Sequence, residues 1–443
     1  MTQSLFIDIQ DVCIGMYIQL DIGWLRHPFP ISSFRISSQE QIQALQSLGI
    51  RSIRCFPAKS DAEISAVLLS IAIADGEGTN LQPLRIPSAM LMPVRAEEVG
   101  AQFQQQEPGE GLASARTERA ALQVCNQRFT VAADGYRKVL DEVVRAPEQA
   151  LQTSLRLVGD YITELLDSSQ TTIRLLSESV GERQGAHPIN VTVLSLLLGK
   201  AQGLDAASLM DLGLAALLHD VGKLDIDPRC AENLPSLTDA QRQSYEAHVG
   251  ASVAYAQRMG LSARALTTIA QHHEAADGSG FPLHLLQEDL TVEGQILALT
   301  NCYDKLCNPV GLASAMTPHE ALSVLFAQRR GGFAREFVEL FVRVLGVYPP
   351  GSVVQLSDER YGMVVAVDSA QPLKPHVLLY QAEVAQDNAQ PVALSQLPGV
   401  VIKRSLRPAQ LPREVLDYLL PRKRVCYFFE RAVPLMVQQG EAL

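Results

Sequence analysis

Apolar and polar positions divide the 443-residue chain into stretches of different texture. Over residues 5–20 they alternate in short pieces broken at Gly15, the pattern of half-buried strands. Ser38 and Gln41 then form a capping-box pair. The helix they open carries Ile42, Leu45 and Leu48 on one face and stops at Gly49. Residues 51–56 read as a further strand, so residues 1–68 are expected to fold as a small α+β module. Trp24, His27 and Phe29 in it read as packing residues or a small contact surface. Over residues 74–119 the composition turns to Gly, Pro, Gln, Glu and Ser, with QQQEPGEG at the centre. Residues 69–118 are therefore expected to be linker, with a short helix near 96–105.

From 119 to 345 the period becomes helical. Leu155, Val158, Ile162 and Leu165 fall on one face, and residues 193–198 are apolar enough for a buried helix. Asp205 reads as the N-cap of a helix running through Leu209, Leu212, Leu214 and Leu218. Thr238 with Gln241 and Thr317 with Glu320 form capping boxes, the second with Pro318 at the first helical position. After Gly346 the turn chemistry of Tyr348-Pro349-Pro350-Gly351-Ser352 leads into strand patterns at 353–356, 362–367 and 376–380. A short helix near 412–420 and Arg422-Lys423-Arg424, read as a solvated end, follow. The expected fold class is mainly α: a helical core over 119–345, the N-terminal α+β module, and a small C-terminal β module with tail over 346–443.

The chain is 47% hydrophobic and 19% charged, enough for sizeable cores and against wholesale disorder. No apolar run approaches the ~18 residues of a membrane span, and the N-terminus lacks the pattern of a secretory signal. A net charge of -11 excludes a general binder of nucleic acid polymers. A small anionic substrate would need a metal or local cations to supply positive field. The seven scattered cysteines contain no CxxC pair and read as reduced thiols. These features predict a soluble cytoplasmic protein without membrane insertion.

Five of the nine histidines fall between His187 and His273, which points to a metal. His219-Asp220 closes the apolar run LGLAALLHD, where an imidazole and a carboxylate can meet one centre. Lys223 lies about one helical turn beyond Asp220 and can reach the same cavity. His248 sits on the helix opened by Thr238, and His272-His273 precedes the loop Glu274-Ala275-Ala276-Asp277-Gly278-Ser279-Gly280-Phe281-Pro282. Imidazole and carboxylate ligands without thiolates suit Fe, Mn, Zn or Ni. Two ions sharing Asp220 would activate a water and clamp a phosphoryl oxygen, while Lys223 neutralised charge growing on the phosphate.

The HD dipeptide, HDVGK with Lys223, His248 and HHEAADGSGFP, in this order, resemble the HD-GYP family of HD-superfamily phosphohydrolases. The resemblance covers about residues 150–345, with Phe281 in place of the usual Tyr. The first module, with GMYIQLDIGWLRHPFP, is similar to an uncharacterised domain often found ahead of HD-GYP domains, and YPPGSVVQL resembles the β extension that follows them. The resemblance implies a helical HD-domain core and hydrolysis of cyclic di-GMP to the linear dinucleotide and GMP, in bacterial signalling. It implies two divalent ions, Fe or Mn. The ligands would be His187, His219, Asp220, His248, His272 and His273, with Asp220 and Lys223 catalytic. Lys223, Asp277, Gly278 and Gly280 would meet the substrate, the glycines by close backbone approach. Signalling proteins and a second copy of the chain are the further partners it suggests.

Three departures qualify the resemblance. Asn301 stands where the family has a ligand Asp, which predicts weaker occupancy of one ion position, with Asp304 pointing elsewhere along the helix. The segment 307–312 lacks the family's basic residue. Arg183 stands where three-metal members have Glu, arguing for two ions at most. The alternative is a catalytically weakened scaffold that binds cyclic di-GMP or a protein partner without turnover. A third reading is hydrolysis of another phosphoester.

Overall fold

The computed structural model describes residues 4–21, 33–36, 39–46, 48–61, 108–168, 170–181, 185–227, 230, 237–309, 315–327 and 331–431. Contacts divide the chain into two units. One comprises Met1–Ser114 with Gln355–Glu359 and Leu397–Arg404, the other Ala115–Val354, Arg360–Gln396 and Ser405–Leu443. In the first, strands β1 (Leu5–Asp8), β2 (Tyr17–Gln19) and β3 (Ser33–Arg35), helix α1 (Gln39–Gln46) and strand β4 (Ser52–Cys55) follow in sequence. The antiparallel sheet has the order β1-β4-β2-β3. Alternation puts Ile7, Ile18 and Ile53 into one core with Met16, Ile36 and Leu45. Gly15 and Gly49 turn the chain at φ 94° and 69°, where glycine carries no Cβ penalty. Ser38, Trp24, His27, Phe29 and the helix expected at 96–105 lie outside the described residues.

Helix α2 (Pro108–Glu142) begins inside the stretch expected to be linker and precedes α3 (Pro147–Leu166). In α3, Val158, Ile162 and Leu165 are buried as their spacing predicts. Strand β5 (Thr171–Leu175) and the short α4 (Glu178–Gly181) lead into α5 (Ala186–Gln202) and α6 (Ala206–Leu218). Helix α5 is buried on almost every side and packs on α6, with Asp205 capping α6 by accepting from the Ser208 amide. Helices α7 (Asp239–Met259), α8 (Ala263–Ala270), α9 (Val292–Cys307), α10 (Pro318–Ala327) and α11 (Arg335–Leu345) complete the helical part. The Thr238–Gln241 capping box forms at the start of α7, and Thr317 and Glu320 pair reciprocally ahead of α10.

Strands β6 (Val353–Leu356), β7 (Tyr361–Asp368), β8 (His376–Leu379), β9 (Pro391–Ala393) and β10 (Ile402–Leu406), helix α12 (Arg413–Leu419) and strand β11 (Tyr427–Arg431) follow. Two features here depart from what the sequence pattern predicts. Strand β5, inside the span expected to be purely helical, pairs antiparallel with both β7 and β11. Thr171-Thr172-Ile173 is a β-branched run, but flanking helical periods mask so short a strand. The C-terminal strands thus build their sheet around a strand from the helical stretch. The described residues just after Arg422-Lys423-Arg424 are not solvated either, because Cys426, Tyr427, Phe428 and Phe429 are buried. Among the described residues no helix is long and apolar enough to cross a membrane. None of the seven cysteines forms a disulfide.

Candidate metal centre

The start of α5, the turn after α6, the middle of α7 and the turn after α8 deliver the clustered side chains. Gly185, at φ 89°, lets the chain turn into α5, and His187 occupies the first turn of that helix. His219 caps the C-terminus of α6, followed by Asp220 and a tight 3-10 turn through Lys223. His248 lies within α7, and His272 and His273 lie just past α8. Gly222 allows this convergence. A Cβ there would lie 2.3 Å from the His248 carbonyl oxygen and 2.4 Å from the Ser252 nitrogen. Its own amide donates to Ser252 Oγ at 2.8 Å. The turn bearing Asp220 therefore docks backbone-to-backbone on the helix bearing His248.

Three rings are fixed in the same way. His219 Nδ1 donates to the Ala216 carbonyl at 2.7 Å, His248 Nδ1 to that of Tyr245 at 2.5 Å, and His272 Nδ1 to that of Ile269 at 2.6 Å. A carbonyl only accepts, so each ring carries its proton on Nδ1 and turns a lone pair on Nε2 inward. The inward atoms surround Asp220. His219 Nε2 lies 3.3 Å from Asp220 Oδ2, and His248 and His272 Nε2 lie 3.3 and 3.7 Å from Oδ1. His187 donates through Nδ1 to Asp304 Oδ2 and sets Nε2 3.5 Å from Asp220 Oδ2 and 3.3 Å from His219 Nε2. Two groups of candidate ligand atoms result, each within 4.8 Å of one another: His187, His219 and Asp220, and Asp220, His248, His272 and His273. Asp220 belongs to both.

Lone pairs facing lone pairs at these distances are repulsive unless a cation sits among them. Asp220 Oδ1 and Asn301 Oδ1 are buried without a hydrogen-bond partner, a costly arrangement for oxygen acceptors. The donor set therefore fits divalent ions, and its imidazole–carboxylate make-up matches borderline metals rather than a thiolate zinc site.

The electrostatics agree. Burial alone would raise the Asp220 carboxyl, but Lys223, His219 and Lys305 hold it well below the ordinary carboxylate range. Burial lowers the pKa of His219 and pushes that of His272 down to about 3, keeping these rings neutral. Burial opposes charge on His187, yet its bonds to Asp220 and Asp304 outweigh that and raise its pKa. Lys223 Nζ reaches Asp220 Oδ2 at 2.7 Å, at the site edge where the sequence pattern puts it.

Beside the cluster lies a cavity of about 520 Å³, lined among others by His273, Asp277, Phe281, Asn301, Lys305 and Phe333. Phe281 stacks on His273 with centroids 4.5 Å apart. The loop around it is organised by buried Glu274, which accepts from the amides of Leu283 and Leu285 at 2.7 and 3.0 Å. Asp277 is exposed and accepts from the Ser279 amide and hydroxyl. Gly280 lines the cavity, but the loop's own backbone dictates the glycine, since a Cβ would lie 2.3 Å from the Ala275 nitrogen. Gly278 sits at φ 74°, so turn geometry requires it. Loop geometry by itself thus requires a glycine at both positions.

Three residues escaped the sequence reading. Asp304 was expected to point away from the ligands, and it does stand outside both ligand groups. It nevertheless orients His187 through Nδ1, as a carboxylate behind a ligand imidazole does. Tyr245, three residues before His248, brings its hydroxyl 3.2 Å from His273 Nε2, and Lys305 Nζ lies 3.3 Å from the same atom. Helical spacing is the signal that could have found them: Asp304 and Lys305 share a face of α9 with Asn301. Arg183 and residues 310–312 lie outside the described residues.

Two stretches of the chain match known domain families. Residues 4–153 match a domain of unknown function (DUF3391), and residues 162–333 match the HD domain. A cyclic di-GMP phosphodiesterase of Pseudomonas aeruginosa is 29% identical over 38% of this chain and 41% of its own length. One of Borreliella burgdorferi is 23% identical over 41% and 48%. A 3'3'-cGAMP-specific phosphodiesterase of Vibrio cholerae is 32% identical over 29% and 25%. The chain spans less than half the length of these relatives. A solved structure of an HDG"Y"P protein from Bdellovibrio bacteriovorus is 16% identical, with a TM-score of 0.41 over 77% of this chain and 99% of that one.

Proposed function

We propose that this chain, an HD domain behind a DUF3391 domain, is a metal-dependent phosphodiesterase. Its substrate is cyclic di-GMP, opened to the linear dinucleotide and onward to GMP in bacterial second-messenger signalling. The convergence of imidazole lone pairs on Asp220, whose Oδ1 is buried and unpartnered, carries this reading. The relatives named as phosphodiesterases of cyclic dinucleotides support the substrate class.

His187, His219, Asp220, His248 and His272 would hold two divalent ions, Fe or Mn, with His273 at the edge of the set. When bound, such ions polarise a phosphoryl oxygen and lower the pKa of coordinated water. The chain's own residues do the rest. Asp220, held ionised, supplies the carboxylate shared between the two ligand groups. Lys223, at the edge of the centre, offers an ammonium to the phosphate as charge grows on it. Asp277 and the loop carrying Gly278 and Gly280 form the cavity rim where a guanine nucleotide would rest. In hydrolysis one ester P–O bond breaks as a water oxygen bonds to phosphorus, and the departing alkoxide takes up a proton. A cavity of about 520 Å³ is in the range of small-molecule sites. Cytoplasmic residence, signalling-protein partners and self-association belong to the same proposal.

A substrate panel tests this reading. Mn- or Fe-loaded protein is offered cyclic di-GMP, cyclic GMP-AMP and bis-p-nitrophenyl phosphate at equal concentration. Fastest turnover of cyclic di-GMP supports the assignment, and equal or faster cleavage of the aryl diester contradicts it. Asn301, a neutral amide beside the ligands, favours the second reading of a scaffold that binds without turnover. In that case Asn301→Asp would create activity that the wild-type chain lacks.

A further inference from the structure

His273 is held differently from the other rings of the cluster. The Nε2 atoms of His219, His248 and His272 face Asp220, whereas His273 Nε2 faces Tyr245 Oη at 3.2 Å and Lys305 Nζ at 3.3 Å. A lysine ammonium only donates, and a neutral imidazole has one nitrogen lone pair. A ring that meets an ammonium through Nε2 must present that lone pair there and carry its proton on Nδ1. The same lone pair cannot also bind an ion. Lys305 is held in this place by α9, four residues after Asn301, and both side chains line the cavity. This side of the cluster therefore has an amide where a carboxylate would offset an ion's charge, and an ammonium beside the outermost imidazole.

Resting on the metal-centred phosphodiesterase reading, we infer that Lys305 withdraws His273 from the ligand set and stands in the cavity as a fixed cation for a substrate phosphate. The ions then depend on His187, His219, Asp220, His248 and His272 alone. Lys223 and Lys305 would meet the phosphate from two directions, the first beside Asp220 and the second beside His273. Replacing part of an ion's charge by an ammonium keeps the cavity positive without a second full ligand shell.

Counting metal on the full chain tests this without reference to turnover. Protein equilibrated with excess Mn and passed through a desalting column is analysed by elemental mass spectrometry, with thermal unfolding checked for each variant. His273→Ala is expected to retain the wild-type number of ions, while His272→Ala loses metal. Lys305→Met, which frees the His273 lone pair, is expected to bind Mn about tenfold more tightly, and Lys305→Arg to behave as wild type. Equal loss of metal in His273→Ala and His272→Ala would overturn the inference, as would unchanged affinity in Lys305→Met. Should His273→Ala fail to fold, the two Lys305 variants decide alone. After chelation of the metal, cyclic di-GMP is expected to bind Lys305→Met about tenfold more weakly than wild type, and equal binding refutes the phosphate role. A chain that shows the metal pattern but cleaves no cyclic dinucleotide refutes the functional reading and leaves the assignment of His273 standing.

Discussion

Asp220 belongs to both groups of candidate ligand atoms, and in the proposed reading the residues behind it decide how well those groups would hold ions. His187 depends on Asp304, which is fully buried and also accepts from Asn190 and Asn308. Replacing such a carboxylate by an amide keeps the volume and removes the charge that makes the imidazole a better ligand. Asp304→Asn is expected to weaken metal affinity about 10- to 100-fold, measured by competition with a chelating dye. Unchanged affinity would mean that His187 does not need Asp304. Asn301 predicts the opposite sign. Asn301→Asp places a charged oxygen at the buried, unpartnered Oδ1 position, so metal occupancy should rise. Elemental analysis of the desalted protein would read it, and a fall would contradict this account of Asn301. The convergence of the five histidines and Asp220 was legible because their residue types cluster in sequence. Asp304, Tyr245 and Lys305 were not, because their roles depend on which face of α7 or α9 meets the cluster, and tertiary packing decides that.

At the scale of elements, the site rests on the contact between the turn after α6 and helix α7. Gly222 is the narrowest point of that contact, where both neighbours within 2.4 Å of a Cβ are backbone atoms that cannot rotate away. Gly222→Ala is expected to cost about 1–3 kcal/mol and to lower metal content together with stability. Thermal unfolding and metal analysis of one sample would show it, and a variant as stable as wild type would contradict the close docking. Glu274 organises the loop over the cavity through two backbone amides. Its truncation leaves both amides without their partner. Helix positions, caps and the capping boxes at Thr238 and Thr317 followed from local chemistry. Strand β5 did not, since a five-residue strand gains its stability from β7 and β11, which lie far away in sequence. Phe428 and Phe429 were hidden for the same reason: their burial comes from that pairing.

For the molecule as a whole, buried neutral imidazoles set the response to acid. His319 on α10 is buried, donates through Nδ1 to the Val347 carbonyl at 2.8 Å and stacks on Tyr348. Burial lowers its pKa, against weaker opposing contributions from the Val347 bond and Glu320. A histidine depressed in the folded chain binds a proton first in the unfolded one. Its contribution is therefore complete above the unfolded value of about 6.5 and is lost as pH falls below it. The melting temperature of wild type should drop as pH falls from about 6.5 to about 5, and His319→Gln should flatten that slope. A variant with the same or a steeper slope would contradict the assignment.

Whether an Asp220-centred metal site hydrolyses a cyclic dinucleotide is decided by one assay. Protein purified without oxygen and loaded with Mn or Fe is incubated with cyclic di-GMP beside Asp220→Asn, and the nucleotides are resolved by chromatography. Linear dinucleotide is expected from wild type and none above background from Asp220→Asn. Metal-loaded wild type that leaves cyclic di-GMP intact, or an Asp220→Asn chain that cleaves it at the wild-type rate, would contradict it.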